Sequence, residues 1–553
     1  MAWRLLKPPL KMTTRPIAML LLGSLLWSLP ASADRRTKRR VAQETEEAPP
    51  EDQDGPEATS VLAIKLDDLI EVAVRLAPEL ARSKNDRLAA KGEAQATRRD
   101  QQWVVTASSQ YSRFAVSPDV EVGPFGTVGE DKLSANLGIG RNLPTGGNVS
   151  FQIGIQRTIK ELEIPALLAD QVGAQIPAEV DGGNVVFDTY ATVQSTAKLV
   201  IKQPLVRGFG RDVALAQEKK GDLAATEATV KTQLAAEEML REVVTAYWEL
   251  AYASYEVDTR AESLDLARKQ EEMTRVEIRA KTAADSALTA VLYEVQIREE
   301  ALLTAKNQWE KKSLELRKRA GLELTRRDLV MRPQDPFEPA DDEWEIADVL
   351  ARARKSNRRM ASLILQKRSA DIDIKVAKNS MLPKVDLELS GALVGTGDST
   401  DRSLTAAANS NGYEIMAGLT VQFDIGGAAK GAHDAALARR QRVEVDQADT
   451  TRTLDTEVVH AVHEVKSARA RLGFADKAIQ YAVDNVKAER AAFQSKLRTN
   501  FDVMQRQTEL VNARLRRGRA IADYHLAVAN VQFLGGFLLE QYRVNVRPLA
   551  KSR

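Results

Sequence analysis

The stretch that decides the fold runs from Val458 to Phe493, VVHAVHEVKSARARLGFADKAIQYAVDNVKAERAAF, inside a run without proline from Lys384 to Arg547. Read at alternating steps of three and four it gives Val458, Ala461, Val465, Ala468, Leu472, Ala475, Ile479, Ala482, Val486, Glu489 and Phe493. Only Glu489 breaks the apolar seam. A 3.5-residue repeat held this long requires supercoiling against a neighbour, because a straight helix at 3.6 residues per turn drifts off the seam.

The same device occurs earlier. Leu240, Val243, Tyr247, Leu250, Ser254, Val257, Ala261 and Leu264 keep the alternation within a second proline-free run, Leu205 to Arg332. Each run reads as about 70 residues of helix, a polar break (Lys281 to Asp285; Arg498 to Asp502) and a return helix about half as long, so the long arms reach roughly 100 Å. Such arms span a distance, which a compact domain does not need to do.

The 553 residues therefore read as two copies of one unit. With 79 basic and 77 acidic side chains the net charge is +2, which gives no electrostatic case for nucleic acid. The chain has no cysteine, which excludes disulfides, thiolate metal sites and a lipid-modified cysteine.

Residues 1–33 combine a basic start (Arg4, Lys7, Lys11, Arg15), an apolar centre from Ile17 to Leu29 and Ala31-Ser32-Ala33, the pattern of a secretory signal peptide. The mature chain is expected to begin near Asp34. Residues 34–60 turn from basic to acidic with prolines, a solvated linker by composition. Repeat 1 is assigned to 61–320, a connector in an equatorial region to 321–343, repeat 2 to 344–536 and a tail to 537–553.

Within repeat 1 a helix over Leu66–Gln102 precedes a strand from Trp103 to Phe114. Next, Leu133, Ala135, Leu137 and Ile139 alternate with polar residues and glycine, and after Pro144-Thr145-Gly146-Gly147 so do Val149, Phe151, Ile153 and Ile155. This is a β-hairpin with one apolar and one polar face. Residues 157–191 read as a loop and Val193–Leu205 as a strand. Repeat 2 has a helix over Ile346–Ser380, a strand from Val385 to Ser390, a Gly/Ser-rich loop, and a strand carrying Tyr413, Ile415, Ala417, Leu419, Val421 and Phe423 on one face.

After the leader no segment is apolar and long enough for a transmembrane helix, so membrane entry would be through strands. One chain supplies four to six, fewer than the eight at which such barrels begin, so several chains are expected to share one barrel.

Here the chain resembles the TolC-like outer-membrane efflux and secretion channels, over nearly all of Leu62–Gly536. The resemblance is carried by Gln203-Pro204-Leu205-Val206-Arg207-Gly208, its echo Val421-Gln422-Phe423-Asp424-Ile425-Gly426-Gly427, Ala246-Tyr247-Trp248-Glu249-Leu250, and the helix-to-strand entries near Trp103 and Pro383. It implies a mainly α fold with β structure: a long coiled-coil helical barrel joined to a β-barrel completed by trimerisation, with an internal twofold repeat. It further implies a homotrimer in outer-membrane lipid, serving tripartite efflux or type I secretion, with a periplasmic adaptor protein and an inner-membrane pump docking at the helical tips. Lys281, Asp285, Lys496 and Asn500 are the docking candidates there. The family tip pattern Gly-x-Arg-x-x-x-Asp-Val-Leu-Asp falls on Lys496 to Gln505, where Arg498 and Asp502 match while Lys496 and Gln505 replace the glycine and the second acid. Asp502, Arg498 and Gln505 are thus candidates for a periplasmic aperture, and Asp502 as a simple helix cap is the alternative. For the extra hairpin, alternation favours membrane insertion but the family count of four strands per protomer sets the expectation.

No nucleophile, acid or base constellation is evident, so neither an enzyme nor a cofactor is expected. His460 and His463 stand at i, i+3 without further ligands, and Gly208-Phe209-Gly210 lacks the third glycine of a dinucleotide loop. The competing reading is a periplasmic or surface coiled-coil scaffold or adhesin without a pore.

Overall fold

The structure is a computed structural model that describes residues 60–116, 127–165, 184–188, 191–280, 285–324, 329–340, 343–495 and 497–545. The expected signal peptide, nearly all of the expected linker, Lys281 and Lys496 lie outside the described residues. In chain order the first half holds β1 (Ser60–Ile64), α1 (Leu66–Leu76), α2 (Pro78–Thr97), β2 (Val104–Ala115), β3 (Thr127–Asn142), β4 (Asn148–Pro165), β5 (Asn184–Asp188) and β6 (Thr192–Pro204). It continues through α3 (Arg211–Ala214), α4 (Ala216–Arg279), α5 (Asp285–Arg319) and β7 (Leu329–Pro333). The second half holds α6 (Ile346–Ser356), α7 (Arg358–Ser380), β8 (Lys384–Gly397), α8 (Thr400–Ala408), β9 (Gly412–Gln422), α9 (Ala428–Gln494), α10 (Asn500–Leu534) and α11 (Leu538–Gln541).

The four helices of the two long pairs have 64, 35, 67 and 35 residues. On α9 every position of the seam from Val458 to Phe493 is buried or half-buried. On α4 the seam holds from Leu240 to Val257, but Ala261 is exposed. The buried line passes instead through Thr259, Ser263, Ala267, Gln270 and Thr274. The correction has a physical reason: these small and polar side chains let helices approach closely and satisfy themselves locally, as Thr274 does by donating to the Gln270 carbonyl at 2.9 Å.

Each expected single helix before the sheet is a pair. Ala77 has ψ 122° because Pro78 excludes it from the helical region. Asn357 has ψ 128°, and its carboxamide oxygen accepts from Arg359 N at 2.9 Å and Met360 N at 3.4 Å. These two breaks receive the ends of the return helices. Gly321 (φ +72°) and Gly536 (φ +70°) both close Schellman turns, with Leu322 N donating to Arg317 O at 2.9 Å and Phe537 N to Gln532 O at 3.2 Å. A Cβ on Gly321 would sit 2.5 Å from the Leu76 carbonyl oxygen and one on Gly536 2.6 Å from that of Ser356, so both repeats need glycine at the same place.

The core lies where these turns meet. Leu69 of α1, Leu240, Val243, Tyr247 and Leu250 of α4, Val458 and Val462 of α9 and Ile521 and Tyr524 of α10 are all fully enclosed. Beside them β1 and β7 form a two-stranded parallel sheet, Ser60 opposite Leu329, which ties the start of the described chain to the connector.

The other sheet has seven strands, in the order β2-β3-β4-β6-β8-β9 with β5 paired to β4, and all its pairings are antiparallel. Two expectations are corrected here. The stretch 157–191 is not wholly loop, since β4 runs on to Pro165 and β5 pairs with it. The sheet of one protomer does not stop at the family count of four strands, because β3 and β4 stand between β2 and β6 in the hydrogen-bonded path.

Candidate functional site

Register decides what the large sheet can do. Direct partners share a face, and the pairs Val105↔Ile139, Ile139↔Phe151, Phe151↔Leu199 and Leu199↔Gly391 carry one face across β2, β3, β4, β6 and β8. Leu387↔Leu419, Leu389↔Ala417 and Leu393↔Tyr413 carry it on to β9. Away from the end that carries α8 this face is apolar and uncovered: Val105 is 67%, Leu137 55%, Ile415 79% and Leu419 62% exposed. The opposite face presents Thr106, Gln110, Asn136, Gln152, Lys198, Lys202, Glu388 and Glu414. A sheet apolar on one face and polar on the other, with only a short helix packed at one end of the apolar side, suits lipid on one side and water on the other.

At the far end of the sheet α8 folds back over the apolar face. Ser195 and Ser403 hydroxyls meet at 2.7 Å, and a Cβ on Gly395 would collide with the Ser403 carbonyl and the Ala407 nitrogen. At the near end, the sequence stretches at the two strand-to-helix junctions meet in space. Arg207 pairs with Asp424 and donates to the Ser380 carbonyl at 3.3 Å, Gly208 N donates to Asn379 Oδ1 at 2.7 Å, and Leu205 N to Val385 O at 2.7 Å. The Arg207–Asp424 pair joins the two repeats and was not legible from either stretch alone.

Ala246-Tyr247-Trp248-Glu249-Leu250 forms a hub beside the parallel sheet. The buried Tyr247 hydroxyl donates to Asp335, which also accepts from Leu66 N at 2.8 Å; burial and this carboxylate raise the phenol pKa. Trp248 stacks flat on His525 at 3.6 Å between ring centres, and Glu249 pairs with Arg519 at 2.9 Å.

At the opposite end from the sheet, the breaks between helices bring α4, α5 and α10 together. Asp502 closes a capping box on α10: it accepts from Thr499 N at 2.9 Å and Thr499 Oγ1 at 2.8 Å, and Asp502 N donates back to Thr499 Oγ1 at 3.3 Å. These hydrogen bonds, with Arg498 and Arg506 nearby, hold its carboxyl below the ordinary range. Arg498 does not pair with Asp502 within the chain; its guanidinium lies 3.4 Å from Glu489, across the break. Asn500 is half-buried and donates to Thr274 Oγ1 at 2.9 Å, whereas Asp285 and Gln505 are exposed.

The tip also holds a residue that periodicity does not single out. Arg298, 6% exposed, donates from Nη1 to Ser263 O at 3.0 Å and from Nη2 to Met504 O at 3.3 Å, stitching α5 to α4 and α10; burial lowers its pKa. Its position on a helix among many arginines gives no sequence signal. His460 is exposed beside Glu464 at 4.0 Å, and among the described residues no three metal-ligating side chains come together. No helix among the described residues is long and apolar enough to cross a membrane.

Residues 349–536 match the family described as outer membrane efflux protein. No curated protein sequence matches the chain. Among solved structures, the outer membrane protein VceC of Vibrio cholerae superposes with a TM-score of 0.60 at 14% identity, over 85% of this chain and 96% of its own. The CmeC outer membrane channel of Campylobacter jejuni gives 0.60 at 12% identity, over 85% of each chain. The open-state MtrE outer membrane channel of Neisseria gonorrhoeae gives 0.57 at 12%, over 86% of this chain and 89% of its own. The chain thus carries an outer membrane efflux protein domain over residues 349–536 and, over about 85% of its length, the TolC-like channel fold.

Proposed function

We propose that copies of this chain assemble as a trimeric efflux channel, with the large sheet in the outer membrane and the long helical pairs crossing the periplasm toward an adaptor protein and an inner-membrane pump. The observation that carries this reading is the sheet: its apolar face runs across six strands and is uncovered except where α8 packs on its far end. Its strands lead through short junctions into helices of 64 and 67 residues, and at 1.5 Å per residue these extend about 100 Å. In lipid the sheet edges must pair, so one copy is incomplete. Efflux of small molecules and type I secretion both use this architecture; the partner pump decides between them.

At the tip, the exposed Asp285, with Lys281 and Lys496, supports adaptor docking, while Asn500, already bonded to Thr274, serves the docking surface by shaping it. Asp502, Arg498 and Gln505 are placed at the aperture. Glu489 accompanies them through Arg498, so each copy brings two carboxylates and one guanidinium to the constriction.

Outer-membrane fractionation, heat-modifiable trimers and ion conductance in planar bilayers test the reading. Arg498→Ala is expected to raise single-channel conductance, and Asp502→Ala to weaken cation preference. Trimers that never conduct, even with the tip loosened, would favour a scaffold without a pore.

A further inference from the structure

We infer that each copy places six strands in the membrane wall, so that three copies close an eighteen-stranded barrel in which β2 of one copy pairs with β9 of the next. The inference rests on the trimeric-channel reading and adds the strand count, the closing edges and the width of the mouth.

Three observations carry it. First, the hairpin is structural to the sheet: β2 hydrogen-bonds to β3 and β4 to β6, so β2 reaches the rest of the sheet only through the hairpin. Second, the hairpin shares the lipid-compatible face in register. Leu137 and Ile153 are direct partners, 55% and 42% exposed, with Ala107 and Ala197 completing the row on either side. Third, its turn is built into the junction where strands become helices. Gly210 N donates to Thr145 O at 3.0 Å and Thr145 Oγ1 to Gln203 Oε1 at 2.9 Å; a Cβ on Gly146 (φ +92°) would collide with the Gly208 carbonyl. A hairpin lying outside a smaller barrel would lack these contacts.

The free edges then fit each other. β2, of 12 residues, leads away from the helices and β9, of 11 residues, leads back, so side by side in neighbouring copies they are antiparallel. Neither contains proline, and the apolar row Tyr413, Ile415, Ala417, Leu419 and Val421 of β9 has Val105, Ala107 and Tyr111 of β2 on the matching face. An unpaired backbone group in lipid costs several kcal/mol, so edges of this length must close. Barrel diameter grows roughly linearly with strand number, so the mouth is about half again as wide as one built from four strands per copy. Barrels of this size hold an aqueous channel, so the tip and not the membrane mouth sets the size limit of the cargo.

The absence of cysteine makes the test clean. Leu137→Cys and Ile153→Cys, labelled with an environment-sensitive fluorophore in reconstituted trimers, are expected to be quenched severalfold more by brominated lipid than by aqueous iodide. Ser108→Cys on β2, combined in turn with Met416→Cys, Gly418→Cys and Thr420→Cys on β9, is expected to yield covalent trimers on oxidation in at least one pairing. Intact trimers whose hairpin labels are quenched only by iodide, with no β2–β9 cross-link, would overturn the eighteen-stranded barrel and leave the trimeric channel standing. Failure of the cysteine-free parent chain to trimerise would overturn both.

Discussion

Glu237 is a buried carboxyl whose chemistry is altered by its surroundings. It is 1% exposed on α4 and faces the Arg358 guanidinium at 3.5 Å; burial pushes its carboxyl up to about 7, against the pull of Arg358 and with a small push from Glu238 and Glu540. Its folded pKa lies above the unfolded value of 4.5, so the native state holds the proton more tightly. The stabilisation is complete below the unfolded pKa and is lost as pH rises through about 7, an effect of at most on the order of 3 kcal/mol. The helical melting midpoint should therefore fall as pH is raised across that window, and Glu237→Gln should flatten the dependence. A second residue-scale outcome concerns Thr499. Thr499→Ala removes the cap of α10 and should cost about 1 kcal/mol locally, seen as faster amide exchange in its first turn.

At the scale of elements, Arg298 ties the tip together beside the small apolar cluster of Leu264, Ala267, Val291, Val295 and Met504. Hydrogen bonds from a charged donor are worth about 1.5–3 kcal/mol, and Arg298 gives one to α4 and another to α10. Arg298→Ala should release α10 from the first helical pair, raising conductance and amide exchange at 500–508 while leaving the sheet unchanged. What the sequence showed of these elements follows from how they are stabilised. The α9 seam was legible because it buries apolar side chains at fixed spacing, and the alternating strands because each has one apolar face. The slip at Ala261 was not legible, because Ser263, Gln270 and Thr274 are buried but polar. The far half of the hairpin was hidden for a related reason: Arg113, Asp131 and Glu161 interrupt the apolar face, and only across strands do they pair, Arg113 with Glu161 at 3.1 Å and with Asp131 at 3.9 Å. Nine-residue α8 lies in Gly- and Ser-rich text whose amphipathicity has meaning only against Gly395 and Ser195. Arg207–Asp424 and Arg298 join segments far apart in sequence, and no local pattern announces such pairs.

For the whole molecule, the two faces of the large sheet should respond oppositely to charge. Ile415 and Glu414 are neighbours on β9, on the apolar and the polar face respectively. Replacing a residue on a lipid face with lysine costs about 2–4 kcal/mol near the bilayer midplane, and three copies in one barrel pay it three times, so Ile415→Lys should abolish heat-modifiable trimers in the outer membrane. Glu414→Lys changes charge where water is available. It should assemble like the parent chain, melt within about 0.5 kcal/mol of it, and shift ion preference toward anions. Membrane fractionation and bilayer reversal potentials read both outcomes. If both lysines were tolerated equally, the apolar face would not meet lipid; if Glu414→Lys alone failed, the sheet would be inside out. Only the asymmetry expected here matches a wall whose outer row is Val105, Ile139, Phe151 and Leu199 and whose inner row carries Lys198, Lys202, Glu388 and Glu414.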